Sequence, residues 1–363
     1  MAVQGFTTSN ALTVKQWSEG LEAEVLKNIS YTGFIGKRSN SLCQWKDELA
    51  TKPGDTVTIG LRMQLDEAPK SSADTVENNE QTLTMYNMSI TLDEVVDAVR
   101  FKNVIDRQRV TFDMRDEARA GLSDQLANAW DHSFFTQLAG ARHVTDNTFY
   151  GHNAILDHQQ VTGQAHYINC DSAGSATTDD ALGSADVLTL NHIDQAVERA
   201  KTLTPSIRPA NIPGFSQPMY VLFVHPYQMT QLRNVTNTGG LHPLALAAMQ
   251  GGKVDDNPLV SGNSFTYNGV LIVESPRVPN GVIASTGLVD VDSRRAIFCG
   301  AQSAMMGWGR LGGDPRRFRW VEKHFDYDRE YGISAGFLGG IKLAQFNSKP
   351  FATIVLASYA TAS

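Results

Sequence analysis

The pattern Gly307-Trp-Gly309-Arg-Leu-Gly312 is the one short motif in this chain with glycines spaced to cradle a phosphate. That chemistry needs a strand before the glycines and a helix after them, whose N-terminal N–H groups hold the anion. Gly313-Asp-Pro315 and strand-like residues follow instead, so a flexible hinge between subdomains is the expected role. His143, His152, His158 and His166, together with Asp157, are metal-ligand types gathered in one polar stretch. None has the four-residue helical spacing that presents two imidazoles on one face, so solvated loop histidines are expected. Asp326, Asp328 and Glu330 alternate as the solvated face of a strand would. Cys43, Cys170 and Cys299 lie far apart with no Cys-x-x-Cys pair, which reads as three reduced, packed thiols.

Arg316, Arg317, Arg319 and Lys323 form a basic cluster with Phe318 and Trp320 interleaved. Aromatics between cations can stack nucleic-acid bases. Strand alternation, however, turns Phe318 and Trp320 away from Arg317 and Arg319. The aromatics are then core, and the arginines a docking surface.

Across 363 residues, 31 basic and 38 acidic side chains leave a net charge of −7, so the whole-chain basic field of a tight nucleic-acid binder is missing. With 42% hydrophobic residues the chain can fill a sizeable core. The first residues carry no basic and apolar leader pattern, and no apolar run nears a membrane span of ~20 residues. A soluble, unexported protein without membrane contact is expected.

Thr13 and Gln16 form a capping-box pair ahead of Val14, Trp17, Leu21, Val25 and Ile29 at helical spacing, predicting a short N-terminal helix. After the turn signal Lys52-Pro-Gly-Asp55, Val57, Ile59, Leu61, Met63 and Leu65 alternate with polar residues as one face of a long strand. The tip from Asp66 to Gln81 is acidic, with Glu77 and Glu80 among five carboxylates. The return runs Leu83, Met85 and then Met88, Ile90, Leu92, a change of face that predicts a bulge near Tyr86. A two-stranded arm is marginal in water, so this one calls for a partner surface.

Asp113 can cap a helix in which Ala118, Leu122, Leu126, Trp130, Phe134 and Leu138 recur every fourth residue, and Gly140 can stop it. Residues 143–187 turn polar and aperiodic, as an exposed insertion would. Helical spacing returns at Ile193, Val197, Ala200 and Leu203. An α/β unit follows, with a buried strand over 220–225 and a helix over 226–233. Strands are predicted over 269–274, 296–299, 318–325, 333–346 and 351–357.

In this order the parts resemble the major capsid proteins of tailed phages, closest to the coliphage N-four-like branch. The residues that carry the resemblance are Asn10-Ala-Leu-Thr-Val-Lys-Gln-Trp17, Phe34-Ile-Gly-Lys37, Gly60-Leu-Arg-Met-Gln-Leu65 and Asp113-Met-Arg-Asp-Glu-Ala-Arg119. Gln137-Leu-Ala-Gly140, Ile193 to Lys201, Phe223-Val-His-Pro226 and Tyr267-Asn-Gly-Val270 continue it. Cys299 to Ala304, Phe325-Asp-Tyr-Asp328 and Gly340-Ile-Lys342 complete it.

The resemblance implies an α+β capsid fold of Hong Kong 97 type. Its parts would be an N-terminal arm (1–50), an extended β-hairpin loop (51–101), a peripheral domain (102–190 and 310–363, spine helix about 113–139) and an axial domain (191–309). It implies no enzyme, catalytic residue, metal or cofactor. The expected partners are copies of the chain itself in hexamers and pentamers, a separate scaffolding protein, a portal, a cementing or decoration protein, and packaged double-stranded DNA held without sequence specificity. The expected location is the virion, with assembly in the bacterial host cytoplasm. An encapsulin-like compartment shell shares the fold and is the alternative; a soluble metal-dependent hydrolase is the enzyme alternative. Inter-subunit contact is expected at Val57, Ile59, Leu61, Met63, Glu77 and Glu80 of the loop, and at Arg316, Arg317 and Arg319 of the basic cluster.

Overall fold

The computed structural model describes residues 24, 25, 27, 29, 31–46, 54–62, 69–71, 75–77, 79–83, 85–102, 113–142, 153–161, 163–171, 177–234, 264–310, 317–327 and 329–362. Most of the predicted N-terminal helix lies outside them, although residues 24, 25 and 27 are helical. The first strands are β1 (Ile35–Gly36), β2 (Cys43–Lys46), β3 (Thr56–Arg62), β4 (Met85–Thr91) and β5 (Asp93–Phe101). Helix α1 (Met114–Ala139) precedes β6 (Tyr167–Asn169), α2 (Leu190–Thr202), β7 (Tyr220–Val224) and α3 (Pro226–Asn234). Then come β8 (Ser264–Tyr267), β9 (Val270–Glu274), β10 (Asn280–Val282), β11 (Val289–Cys299) and β12 (Ala304–Trp308). The chain closes with β13 (Phe318–Phe325), β14 (Glu330–Leu343), β15 (Gln345–Phe346), β16 (Lys349–Pro350) and β17 (Thr353–Tyr359).

Helix α1 starts and stops for local reasons. The Asp113 carboxylate accepts from the Arg115 N–H at 2.9 Å, and Asp116 and Glu117 sit favourably in the first turn. Gly140, at φ 67°, takes the left-handed cap, and its N–H closes on Thr136 O at 3.0 Å. From Ala129 to Ala139 every side chain is buried. A helix buried all round belongs at the centre of a molecule.

Two sheets flank it. One runs β1-β2-β12-β14-β13, with β5 on β14 as well; the other runs β6-β17-β11-β7-β9-β8, with β10 on β11. The main core joins Trp130, Phe134 and Phe135 of α1 to Val221, Phe223 and Ile297 on one side and to Trp308, Phe318 and Phe337 on the other. On the far face of the second sheet, Leu222, Val224, Phe298 and Ile354 meet Ile193 and Val197 of α2 and Met229 and Leu232 of α3. Strand β7 is covered on both faces, hence its unbroken apolar run.

The sheets cross the division expected from the sequence. β6 and β17 both fall in the expected peripheral part yet pair with each other and, through β17, with β11, while β12 leaves the expected axial part to pair with β14. Strand pairing is a long-range choice that sequence order does not fix.

Several local expectations need correction. Pairing of β3 with β4 runs from Thr56↔Thr91 to Arg62↔Met85 without a shift, so there is no bulge at Tyr86. Met85 points outward at 67% exposure, and Tyr86, Met88 and Ile90 simply share the inner face. The Gly307–Gly309 segment is not a hinge. A Cβ on Gly307 would meet Leu92 Cδ2 at 2.6 Å and one on Gly309 would meet Leu338 Cδ2 at 2.5 Å, so both glycines make room for packed leucines. Asp326 and Tyr327 form the left-handed turn between β13 and β14 rather than a strand face, and Glu330 pairs with Arg100. Asp328 lies outside the described residues.

Candidate functional site

The first candidate surface is the hairpin β3–β4. Val57 stands opposite Ile90 and Ile59 opposite Met88, so the four share one face. That face rests on the chain's own body: Met88, Ile90 and Leu92 cluster with Met305, Ala344 and Phe346, and Ile59 packs against them. Val57 is only 4% exposed. The expectation that Val57 and Ile59 present an uncovered apolar face to a neighbour is therefore corrected, because β12 and the β14–β15 turn already cover it. Among the described residues of the arm, exposed large apolar side chains are found farther along, at Val76, Leu83 and Met85. Leu61 pairs with Tyr86 through its backbone, Met63 lies outside the described residues, and Glu77 and Glu80 are exposed.

The second surface is β13. Phe318 and Trp320 are buried in the core and Arg319 is exposed, the alternation read from the sequence. Arg317 differs from expectation. Its guanidinium carbon lies 3.4 Å from the centroid of the Trp45 ring, a cation–π stack within the chain. Arg316 lies outside the described residues. Glu322 accepts from Arg115 Nε at 2.9 Å and from Trp320 Nε1 at 2.6 Å, which fastens β13 to the start of α1.

A third feature was not legible in the sequence. Arg295 of β11 is fully buried at the junction of α1, β11 and the segment after α1. Its Nε donates to Asp179 Oδ2 at 2.7 Å, and Nη1 lies 2.8 Å from Asp157 Oδ1. Nη1 also donates to the Ala139 and Gly140 carbonyls at 3.1 Å, and Nη2 to Gln159 Oε1 at 3.1 Å. Burial works against this cation, but the Asp179 and Asp157 carboxylates raise its pKa overall. The available signal was an arginine opening the apolar run Ala296-Ile-Phe-Cys299.

The same centre corrects the reading of the insertion. His158 is completely buried and His166 nearly so, and Tyr167, Ile168 and Cys170 are core residues. His143 and His152 lie outside the described residues. Burial pushes the His158 imidazole well below its usual range. Arg295 and His166 add to that effect, and the Leu156 main chain opposes it. An unfolded histidine takes up its proton near pH 6.5, so the stability from a neutral His158 is present above that pH and is lost as pH falls below it. The slope is up to about 1.4 kcal/mol per pH unit. Urea midpoints between pH 7 and pH 5 should fall, and His158→Leu should make the fall shallower; an unchanged slope contradicts the assignment.

Chemically, these features hold parts together. Cys43, Cys170 and Cys299 are buried, and burial pushes the Cys299 thiol up to about 12, far from a reactive thiolate. Among the described residues no group of three His, Cys, Asp or Glu side chains is arranged to hold a metal ion. Among them, too, no helix is long and apolar enough to cross a membrane.

A sequence profile of the family described as phage capsid protein matches residues 5–361. The major capsid protein of Pseudomonas phage KPP25 is 27% identical over 383 residues, covering 96% of this chain and 94% of that one. The capsid of Ralstonia phage GP4 superposes with a TM-score of 0.73 at 25% identity, over 99% of this chain and 96% of that chain. The capsid of Cyanophage Pam1 gives a TM-score of 0.71 at 18% identity, over 93% and 94%.

Proposed function

The chain belongs to the phage capsid protein family, and from that premise we propose that it is the major capsid protein of a tailed phage. In this reading it is a shell subunit of Hong Kong 97 type, nearest the N-four-like branch. Copies form the hexamers and pentamers of an icosahedral head around double-stranded DNA. The observation that carries the reading is end-to-end likeness to capsid chains, which concerns the whole subunit rather than a shared module. The net charge of −7 is in keeping with it, since a strongly basic lining would hold DNA by counterion release and hinder its passage.

The subunit acts as a structural part, without catalytic residue or cofactor. Residues 1–50 form the arm, 51–101 the extended loop, 102–190 and 310–363 the peripheral domain, and 191–309 the axial domain. The sheet pairings favour counting β6 and β17 with the axial sheet and β12 with the peripheral one. Scaffold, portal and decoration proteins are its partners in this reading, and assembly takes place in the host cytoplasm. Light scattering on the protein produced with its scaffold should find closed many-subunit particles. Monomers or dimers under every condition would refute the reading.

The distal hairpin lies across a neighbouring subunit, with Val76, Leu83 and Met85 supplying apolar contact and Glu77 and Glu80 facing the neighbour's Arg319. An exposed ion pair contributes at most about 1 kcal/mol, so charge sets register more than affinity. Arg319→Glu is expected to slow assembly in low salt, and Glu77→Lys with Glu80→Lys to restore part of the rate. Sedimentation of particles follows both; a reversal with no effect at low salt rules the pairing out.

A further inference from the structure

Strand β4 parts from the β5–β14 ladder at one side chain. Strand β5 pairs with β14 from Phe101↔Tyr331 to Asp93↔Gly339, and the same register would go on to set Leu92 opposite Gly340 and Thr91 opposite Ile341. The ladder ends before that rung, and the Asn153 carboxamide fills the place. The Thr91 N–H donates to Asn153 Oδ1 at 3.0 Å, while Asn153 Nδ2 donates to Thr91 O at 3.1 Å and to Ile341 O at 3.2 Å. A primary amide has an acceptor and two donors on one plane, so it can stand in for a strand's peptide group. Asn153 is 8% exposed, and its main-chain oxygen accepts from Gln137 Nε2 of α1 at 2.8 Å. Gly340 leaves room for the approach: a Cβ there would lie 2.3 Å from Thr91 O and 3.1 Å from Asn153 Nδ2. One step outward, Lys342 Nζ donates to Ser89 O at 2.9 Å. Beyond Thr91, among the described residues, β4 has β3 as its one strand partner, while its inner face packs on the body.

We propose that Asn153 is the positioning residue of the extended hairpin, a side-chain rung that ends the β5–β14 ladder and sets the direction in which the arm reaches the next copy. The inference rests on the arm being the inter-subunit element. Anchored through Gln137 to the central helix, Asn153 couples the arm's direction to the most buried part of the subunit. Asn153→Asp keeps the acceptor for Thr91 N–H but turns a carboxylate oxygen on two carbonyls, whereas Asn153→Ala removes all three bonds without adding charge.

The test is amide hydrogen exchange on assembled particles, with electron cryomicroscopy of the same samples. In Asn153→Ala the Thr91 amide is expected to exchange at least about tenfold faster, since its acceptor is lost, and in both variants the hairpin is expected to be displaced or spread in direction with α1 protection unchanged. Wild-type exchange at Thr91 in Asn153→Ala, or a wild-type hairpin direction in either variant, overturns the proposal. Loss of protection throughout α1 in both variants also overturns it, leaving Asn153 a general stability residue. Deletion of residues 66–81 combined with Leu83→Ser and Met85→Ser separates the two readings: unaffected assembly would sink the inter-subunit arm while leaving the exchange result at Thr91 standing.

Discussion

Replacing Arg295 with alanine is expected to lower stability by about 3–5 kcal/mol, the usual cost of leaving a buried charge without its partner. The reason lies in what remains. Asp179 is fully buried and would keep only the Tyr167 hydroxyl and the Val282 N–H, which is 2.8 Å away. The Ala139 and Gly140 carbonyls at the end of α1 would lose their cation, which sits where a helix dipole favours positive charge. Asp179→Asn made in the same chain removes the stranded charge, so the double variant should be more stable than additivity predicts. Urea denaturation measures both. A loss below about 1 kcal/mol for Arg295→Ala is the size of an ordinary surface change and would show that the centre is not a junction.

The second large effect is expected at Trp308. Its ring is buried, with centroids 4.6 Å from Trp130, 5.5 Å from Phe318, 5.6 Å from Phe337 and 5.7 Å from Trp45. These neighbours come from α1, β13, β14 and β2, so one side chain fills the seam of the first sheet. Trp308→Ala should cost about 3–5 kcal/mol through lost burial and the cavity left behind, and Trp308→Phe distinctly less. Against a typical total of about 5–15 kcal/mol, such a loss removes much of the folded population. Because β12 also carries β2 in parallel, limited proteolysis near residues 35–46 should quicken in the alanine variant. Equal denaturation midpoints for the two variants would argue against close packing at the seam.

Features with a local cause were readable in advance. Asp113 and Gly140 bound α1 because a cap and a left-handed turn are decided by neighbouring residues. Phe318 and Trp320 fall inward because alternation is a property of the strand itself. What long-range contact decides was not readable. Val57 and Ile59 look like an uncovered face until β12 and the β14–β15 turn are folded over them. His158 looks solvated because its stretch is polar, yet that polarity is consumed by Arg295, which lies more than a hundred residues away in the chain. Asn153 has no signature at all, since its partners are main-chain groups of Thr91 and Ile341. The assembly surfaces are legible only in outline: composition marks Glu77, Glu80 and Arg319 as exposed charge, but which copy they meet depends on subunit geometry.

The central claim is that this chain is a shell subunit whose hairpin reaches onto the next copy. Electron cryomicroscopy of particles formed by the full chain with its scaffold tests it most directly. The predicted map is a closed icosahedral shell in which Leu83 and Met85 of each hairpin are covered by a neighbouring subunit. A map in which each hairpin folds back along its own subunit, with Leu83 and Met85 covered from within, would contradict the account.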